Sequence, residues 1–284
     1  MKIIAKPSIF QNIAKDLKYS GKAIGLVPTM GALHQGHASL IKRARKENDI
    51  VVVSIFVNPM QFNPGEDYRR YPRTPDKDSS LCRQLGVDFI FVPKPEMLYP
   101  KDYFSFINVE TIGEVMCGKS RPGHFRGVAT VVGKLFNIVM PDKSYFGLKD
   151  YQQSVVIKKF TEDLNFPVKI VTCPIIREKD GLALSSRNAY LSADERSRAI
   201  SIYKSLQKAK NMIKYKKNVS AQSIVSVIER MIINFADKID YIEVRDASTL
   251  DSIQRIDGSR KIVIAVAAYF GKTRLIDNIL INGV

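Results

Sequence analysis

"AIGLVPTMGALHQGHASLIKRARKEN", residues 23 to 48, decides the fold of this chain. Its opening, "AIGLVP", is an apolar run of strand length. Its close, "HASLIKRARKEN", sets apolar residues at helical spacing among basic ones. Between them "TMGALHQG" is a glycine-rich loop. The same succession recurs downstream. "IVVVSIFV" (50 to 57) leads to "TPDKDSSLCRQLG" and "VDFIFVP"; later "GVATVVGKLFNIVM", "KSYFGL", "DYQQSVVIKKFTEDLN" and "FPVKIVTCPII" follow in turn. Short β-rich runs alternating with helices are βαβ units, which give a Rossmann-like, doubly wound parallel sheet with helices on both faces.

The pattern changes near residue 180. Two helical stretches, about 193 to 215 and 220 to 236, precede "YIEVRDA", "KIVIAVAAYFG" and "LIDNILI". These predict a smaller α+β domain ending in an antiparallel sheet. The expected organisation is a Rossmann-like ligand-binding domain over 1–178 and a C-terminal α+β lid over 179–284.

The bulk numbers narrow the class. A chain of 284 residues with 45% hydrophobic and 25% charged residues has an ordinary globular composition and enough length for a sizeable core. "IVVVSIFV" falls far short of the roughly 20 apolar residues that span a bilayer. "MKIIAKPSIFQN" lacks a long apolar segment before a cleavage site, so a cytoplasmic protein without a membrane partner is expected. Cys82, Cys117 and Cys173 are far apart and form no CxxC pair; they read as small core residues. The net charge of +16 suits nucleic acid, an anionic small substrate or a lysine-rich surface. The densest basic patch, "KAKNMIKYKKN" (208 to 218), continues a helical pattern and reads as a solvated helix face.

Ligands of open α/β sheets bind beyond the carboxyl ends of strands, and the informative strings sit there. In the first, helix N–H groups meet Gly31 and Gly36, which admit close approach of an anion; a glycine turn with two surface histidines would give the same string. There is no G-x-G-x-x-G, and "GKT" (271 to 273) has Val266 where a P-loop needs glycine. Asn58 and Gln61 follow the second strand run, where neutral amides can bind hydroxyl and carboxylate groups. Asp76 and Asp78 fall at a helix start, fit for capping or for magnesium beside phosphates. His124 lies between Arg121 and Arg126, in a loop able to order over an anion or simply to turn. "YFGLKDYQQ" offers Lys149 and, one turn on, Gln153. "LALSSRNAYLS" offers Ser185, Ser186 and Arg187, two hydroxyls and a forked cation suited to phosphate.

Taken together, "VPTMGALHQGH", "FVNPMQF", "YPRTPDKD", "RPGHFRGVATVV", "FGLKDYQQ", "DGLALSSRN" and "TRLIDN" resemble the pantothenate synthetase (pantoate–β-alanine ligase) family over nearly the whole chain. "HQGH" is similar to the H-x-G-H signature of the nucleotidylyltransferase superfamily that includes class I aminoacyl-tRNA synthetases. The chain departs from the family pattern at Leu148, usually glutamate, and at Lys77, often acidic.

The resemblance implies an AMP-forming ligase. ATP and (R)-pantoate give pantoyl adenylate and pyrophosphate, and β-alanine then gives pantothenate and AMP. It implies that ATP is held by Met30, Gly31, Ala32, Leu33, His34, Gln35, Gly36 and His37, by Gly147, Leu148, Lys149 and Asp150, and by Ile176, Leu184, Ser185, Ser186 and Arg187. Pantoate falls to Gln61 and Gln153, and β-alanine to Gln61. His34, His37 and Lys149 are the implied catalytic residues, with an imidazolium at His37 as acid toward pyrophosphate; Asp78 is the candidate ligand for Mg2+. The expected partners are small molecules and a second copy of the chain in a homodimer, with no nucleic acid. Another H-x-G-H nucleotidylyltransferase or a truncated synthetase is the rival enzyme, which the charge favours and the missing K-M-S-K-S string opposes. A non-catalytic nucleotide- or RNA-binding module is the third class, and it has no use for phosphate ligands and substrate amides together.

Overall fold

A computed structural model describes residues 1–215 and 218–282. The Lys216 and Lys217 part of the basic patch therefore lies outside the described residues. The described residues divide into two compact units. The first comprises Met1–Gly113, Arg121–Leu148 and Val156–Pro174; the second comprises Glu114–Ser120, Lys149–Val155 and Ile175–Val284.

The first unit runs β1 (Lys2–Ile4), α1 (Pro7–Tyr19), β2 (Ile24–Thr29), α2 (Gln35–Glu47), β3 (Ile50–Ile55), α3 (Pro75–Gln84), β4 (Phe89–Phe91) and α4 (Pro95–Leu98). After α5 (Cys117–Ser120), which belongs to the second unit, it continues with α6 (His124–Val139) and β5 (Lys143–Gly147). Next come α7 (Tyr151–Asp163), whose residues to Val155 count with the second unit, and β6 (Lys169–Cys173). The six strands form one parallel sheet in the order β1-β4-β3-β2-β5-β6. From β2 the chain winds outward to β3 and β4, then returns to place β5 on the other side. The order reverses between β2 and β5, where such sheets bind ligands.

Strands buried on both faces read as unbroken apolar runs, and β2 and β3 have that character: Ile24, Leu26, Val27, Val51, Val52 and Val53 are fully buried. One layer packs Leu40, Ile41 and Ala44 of α2 and Cys82 of α3 on Val27, Val53, Ile90 and Tyr145. Helix α6 is buried along most of its length, from His124 to Val139, as its nearly uniform apolar string requires. Phe10 of α1 meets Phe89 and Phe91 of β4 edge-on. β1 was not expected. It is a three-residue edge strand that its own sequence scarcely marks, and it is held by pairing with β4.

In the second unit α8 (Ala193–Tyr215) and α9 (Ala221–Ile232) fall where the helical strings predict, α9 ending before the expected 236. A two-residue pair, β7 (Val219–Ser220) with β9 (Arg255–Ile256), brackets β8 (Lys238–Asp246) in sequence. β10 (Ile262–Phe270) is the middle strand of an antiparallel sheet between β8 and β11 (Thr273–Ile281). Ile202 and Leu206 of α8 and Ile224, Ile228 and Ile232 of α9 bury against Ile264, Val266 and Phe270 of β10. The fold is therefore a Rossmann-like α/β unit with a smaller α+β unit.

Candidate active site

In the first unit the carboxyl end of β2 turns sharply. Gly31 and Ala32 both have positive φ, +81° and 48°, and an alanine in that region is strained by about 1 kcal/mol. Asp78, 2% exposed, holds the turn. Its Oδ2 accepts from Ala32 N at 3.0 Å, and its Oδ1 accepts from Leu33 N at 2.8 Å and from Thr74 Oγ1 at 3.0 Å. Thr29 Oγ1 secures the near side, donating to Ser54 O and accepting from Gly31 N. Asp78 thus caps a distant turn, while Thr74 is the N-cap of its own helix.

The next residues start α2. His34 is its N-cap, and its Nδ1 accepts from Gly36 N at 3.1 Å; Nδ1 of His37 accepts from His34 N at 3.2 Å. The pair forms a reciprocal capping box built from imidazoles. Both Nδ1 atoms act as acceptors, so each neutral ring carries its proton on Nε2. Ring centroids lie 4.2 Å apart. A Cβ on Gly36 would sit 2.7 Å from His34 Cε1, so the close approach requires glycine there.

Beyond β3, Asn58 is buried and fully engaged. Its Nδ2 donates to Gly127 O and Gln61 Oε1, and its Oδ1 accepts from Tyr99 Oη and Met60 N. The Gln61 amide nitrogen lies 3.0 Å from Met30 Sδ, which joins the amide string to the H-x-G-H loop. The Gln61 carbonyl accepts from His124 Nδ1 at 2.7 Å and from Arg121 Nη2 at 3.1 Å. Arg121 also contacts His124 Nε2 at 3.1 Å and grips Glu66 at 2.7 and 2.5 Å. Helix α6 packs directly on this segment, because a Cβ at Gly127 would overlap the Met60 carbonyl. Burial pushes the Tyr99 phenol well above its ordinary value and lowers the Lys134 ammonium, which lies 4.4 Å from the Tyr103 ring centroid.

β5 ends at Gly147, with Leu148 after it. In the second unit Lys149 has a 20% exposed side chain 3.9 Å from Asp150. The two glutamines of "KDYQQ" divide. Gln152 is buried and bonds Cys117 N and Val115 O, whereas Gln153 is half-buried. Ile176 and Leu184 are joined by a backbone hydrogen bond of 3.0 Å, and Ser185 follows as the cap of a short turn, its Oγ accepting from Arg187 N. Lys149 and Ser185 line one small cleft of this unit.

The residues expected at the site therefore fall into two groups. Met30 to His37, Gln61 and Asp78 are tied together in the first unit, alongside Gly147 and Leu148 at the end of β5. Lys149, Asp150, Gln153, Ile176 and Leu184 to Arg187 lie in the second. Tyr99 of "MLYP" and the backbone-directed part played by His124 and Arg121 were not foreseen. Their partners lie |i−j| = 41 to 63 away, beyond any local spacing.

A doubly wound sheet with an H-x-G-H turn after its central strand defines a nucleotide-binding α/β protein. The family model described as pantoate-beta-alanine ligase matches residues 2–280; the chain belongs to that family. It is 54% identical over 284 residues to the pantothenate synthetase of Caldicellulosiruptor bescii, covering 99% of each chain. It is 50% identical to that of Coprothermobacter proteolyticus, again over 99% of each. Among solved structures, pantoate-beta-alanine ligase (pantothenate synthetase) of Thermus thermophilus superposes with a TM-score of 0.91 at 40% identity, covering 98% of this chain and 99% of that one. Pantoate-beta-alanine ligase of Francisella tularensis, complexed with beta-gamma ATP and beta-alanine, gives 0.80 at 38% identity over 99% and 97%.

Proposed function

We propose that this chain condenses (R)-pantoate with β-alanine at the expense of ATP, through pantoyl adenylate. The observation that supports the reading is the 3.0 Å contact between the Gln61 amide nitrogen and Met30 Sδ beside the H-x-G-H loop, in a member of this ligase family. A pantoate carboxylate oxygen attacks the α-phosphorus of ATP, and the bond to pyrophosphate breaks. The β-alanine amine then attacks the acyl carbon, loses a proton and releases AMP.

The carboxylate is ionised at neutral pH, so the first step needs alignment and charge stabilisation more than a base. Gln61 and Gln153 would grip pantoate, with β-alanine following beside Gln61. With Nδ1 of each ring accepting from backbone, His34 and His37 would act as neutral donors through Nε2 toward phosphate oxygens. For His37 to act as an imidazolium, its Nδ1 would first have to leave the His34 N–H. Lys149, Asp150 and the Ser185, Ser186 and Arg187 turn would serve the nucleotide, together with Gly147, Leu148, Ile176 and Leu184 backbone.

Magnesium would screen the triphosphate. Asp78 already braces the turn through three donors, two on Oδ1 and one on Oδ2, which leaves little of its carboxylate for a metal, and no three His, Cys, Asp or Glu side chains cluster as a metal site among the described residues. The ion would arrive on ATP. No helix among the described residues is long and apolar enough to cross a membrane. A cytoplasmic setting is the proposed one, because all the substrates are small and polar. A homodimer is the proposed assembly, tested by light scattering, where monomer mass throughout the micromolar range rejects it.

The test of function is isotope exchange. With magnesium, ATP and (R)-pantoate, labelled pyrophosphate should enter ATP without β-alanine. Exchange that requires β-alanine would exclude a free adenylate.

A further inference from the structure

The string "TRLIDN" takes no part in the chemistry above, yet Asp277 and Asn278, each 4% exposed, are among the most deeply buried polar residues of the second unit. Both sit on β11, paired with β10 from Thr273↔Phe270 to Ile281↔Ile262. That makes their backbone a rigid reference.

Asp277 faces one way. Its Oδ2 accepts from Arg177 Nη1 at 2.6 Å and its Oδ1 from Arg177 Nη2 at 2.9 Å, the forked pairing that fixes a guanidinium in one plane. Oδ1 also accepts from Asn278 N at 2.8 Å. The same guanidinium donates to Gly181 O at 3.0 Å and lies 4.6 Å from the Tyr203 ring centroid. Arg177 is bridged to Ala183, and Leu184 N bonds Ile176 O. These contacts fasten both arms of the 176 to 184 hairpin, whose next residue is Ser185. Asn278 faces the other way: its Nδ2 donates to the carbonyl of Lys149 at 2.9 Å. Asp277 forms part of the wall of the cleft that Lys149 and Ser185 line.

We propose that Asp277 and Asn278 are positioning residues for ATP, which fix from adjacent points of one strand the backbone of Lys149 and the hairpin that presents Ser185 to Arg187. The proposal rests on the reading that those residues bind the nucleotide. A lysine ammonium rides on a flexible stem, so where it can hold a phosphate depends on where its backbone is anchored. Phosphate ligands on two separate loops keep one mutual spacing only if both loops are tied to a common rigid element. A purely structural ion pair would satisfy Arg177, but it would not also require the next residue to hold the Lys149 carbonyl.

The experiment measures pyrophosphate exchange, with KM for ATP and for pantoate determined separately, in N278L, D277N, K149A, R187A and the doubles N278L/K149A and D277N/R187A. K149A and R187A should weaken ATP. N278L and D277N should each raise the ATP KM about tenfold, the weight of roughly one hydrogen bond, and leave the pantoate KM within about twofold. Each should add little to the variant it acts through. If N278L fails to fold, the smaller N278S carries the same comparison. A wild-type ATP KM in N278L and D277N, beside a K149A that has lost ATP, overturns the positioning role and leaves the site reading standing. A wild-type ATP KM in K149A and R187A overturns the site reading, and this role with it. Losses equal for ATP and pantoate and fully additive with K149A also overturn the role, because general loosening then explains them.

Discussion

His124 Nδ1 lies 2.7 Å from the backbone oxygen of Gln61, and since a carbonyl only accepts, that nitrogen carries the proton. Nε2 is left to accept from Arg121, which in turn is anchored on Glu66. The ring is thereby fixed as a neutral donor that sets the backbone of Gln61, the residue proposed to grip pantoate. H124F removes the donor and should raise the pantoate KM about tenfold, as loss of one buried hydrogen bond does. H124N, whose amide nitrogen replaces Nδ1, should recover most of it. Equal KM values in the two variants would show that the ring serves packing alone.

Charge stabilisation of phosphate is assigned to Lys149 and His37. Loss of one such donor typically slows catalysis by about 10²-fold or more, so K149A and H37A should cripple adenylate formation in the exchange assay. Cys82, buried in the α2 and α3 layer, lies outside that chemistry, and C82A should turn over near the wild-type rate. Near-normal exchange in the lysine and histidine variants would overturn the assignment.

Gln61 and Gln153 carry no charge, so their weight should fall on pantoate. Q61A and Q153A should weaken pantoate by roughly tenfold to a hundredfold and ATP far less. A pantoate analogue lacking the 2-hydroxyl should cost the wild-type enzyme a similar amount. Combining variant and analogue should cost less than the sum, because both remove the same bond. Full additivity or a selective loss of ATP would show that the glutamines act elsewhere.

For Asp78 the brace and the metal ligand predict different titrations. D78N keeps one acceptor for three donors, so the turn at Ala32 and Leu33 should loosen, with a stability loss of about 1 to 3 kcal/mol in urea melts. The magnesium concentration giving half-maximal exchange, at saturating ATP, should stay where it is in wild type. A large rise in that concentration would restore Asp78 as a ligand.

Alkaline stability has a defined sign. Burial, with the charge of Asp78 adding to it, pushes the Cys82 thiol from 9.0 up to about 12, and burial pushes the Tyr145 and Tyr151 phenols from 10.0 up to about 12. Each stays protonated in the fold after its counterpart in the unfolded chain has ionised, so above about pH 9 the unfolded chain binds fewer protons. Stability is complete below that pH and falls toward pH 12. Urea midpoints should decline across that window, and C82A should delay the onset of the decline. A flat profile would contradict these shifts.

Much of this was legible in the sequence because it is local. Unbroken apolar strings gave β2, β3 and β10, and post-strand placement singled out the 30 to 37 loop, Gln61 and Lys149 without any contact in view. What escaped depends on distance along the chain. Asp78 reads as an acid at a helix start, and its partners at Ala32 and Leu33 lie |i−j| = 46 and 45 away. Its capping geometry exists only once β2 and α3 have packed. β1 has three residues, with Ile3 57% exposed, so no pattern marks it before β4 supplies its partner. Gln152 and Gln153 are identical in type and adjacent. Only the positions of Cys117 and Val115 make one a strut and leave the other half-buried.

The imidazole cap of α2 has a bearing on which anions the enzyme notices. A bare helix start attracts chloride, sulfate and inorganic phosphate alike. Here His34 and His37 already accept from two of the backbone donors. A small anion must evict a ring to reach those groups and gains few bonds in exchange. On the proposed reading, a nucleotide triphosphate would lie across the turn and meet the rings as donors through Nε2, with both Nδ1 contacts kept. The proposal therefore expects simple salts to compete poorly with ATP at this turn, without any side chain that repels them.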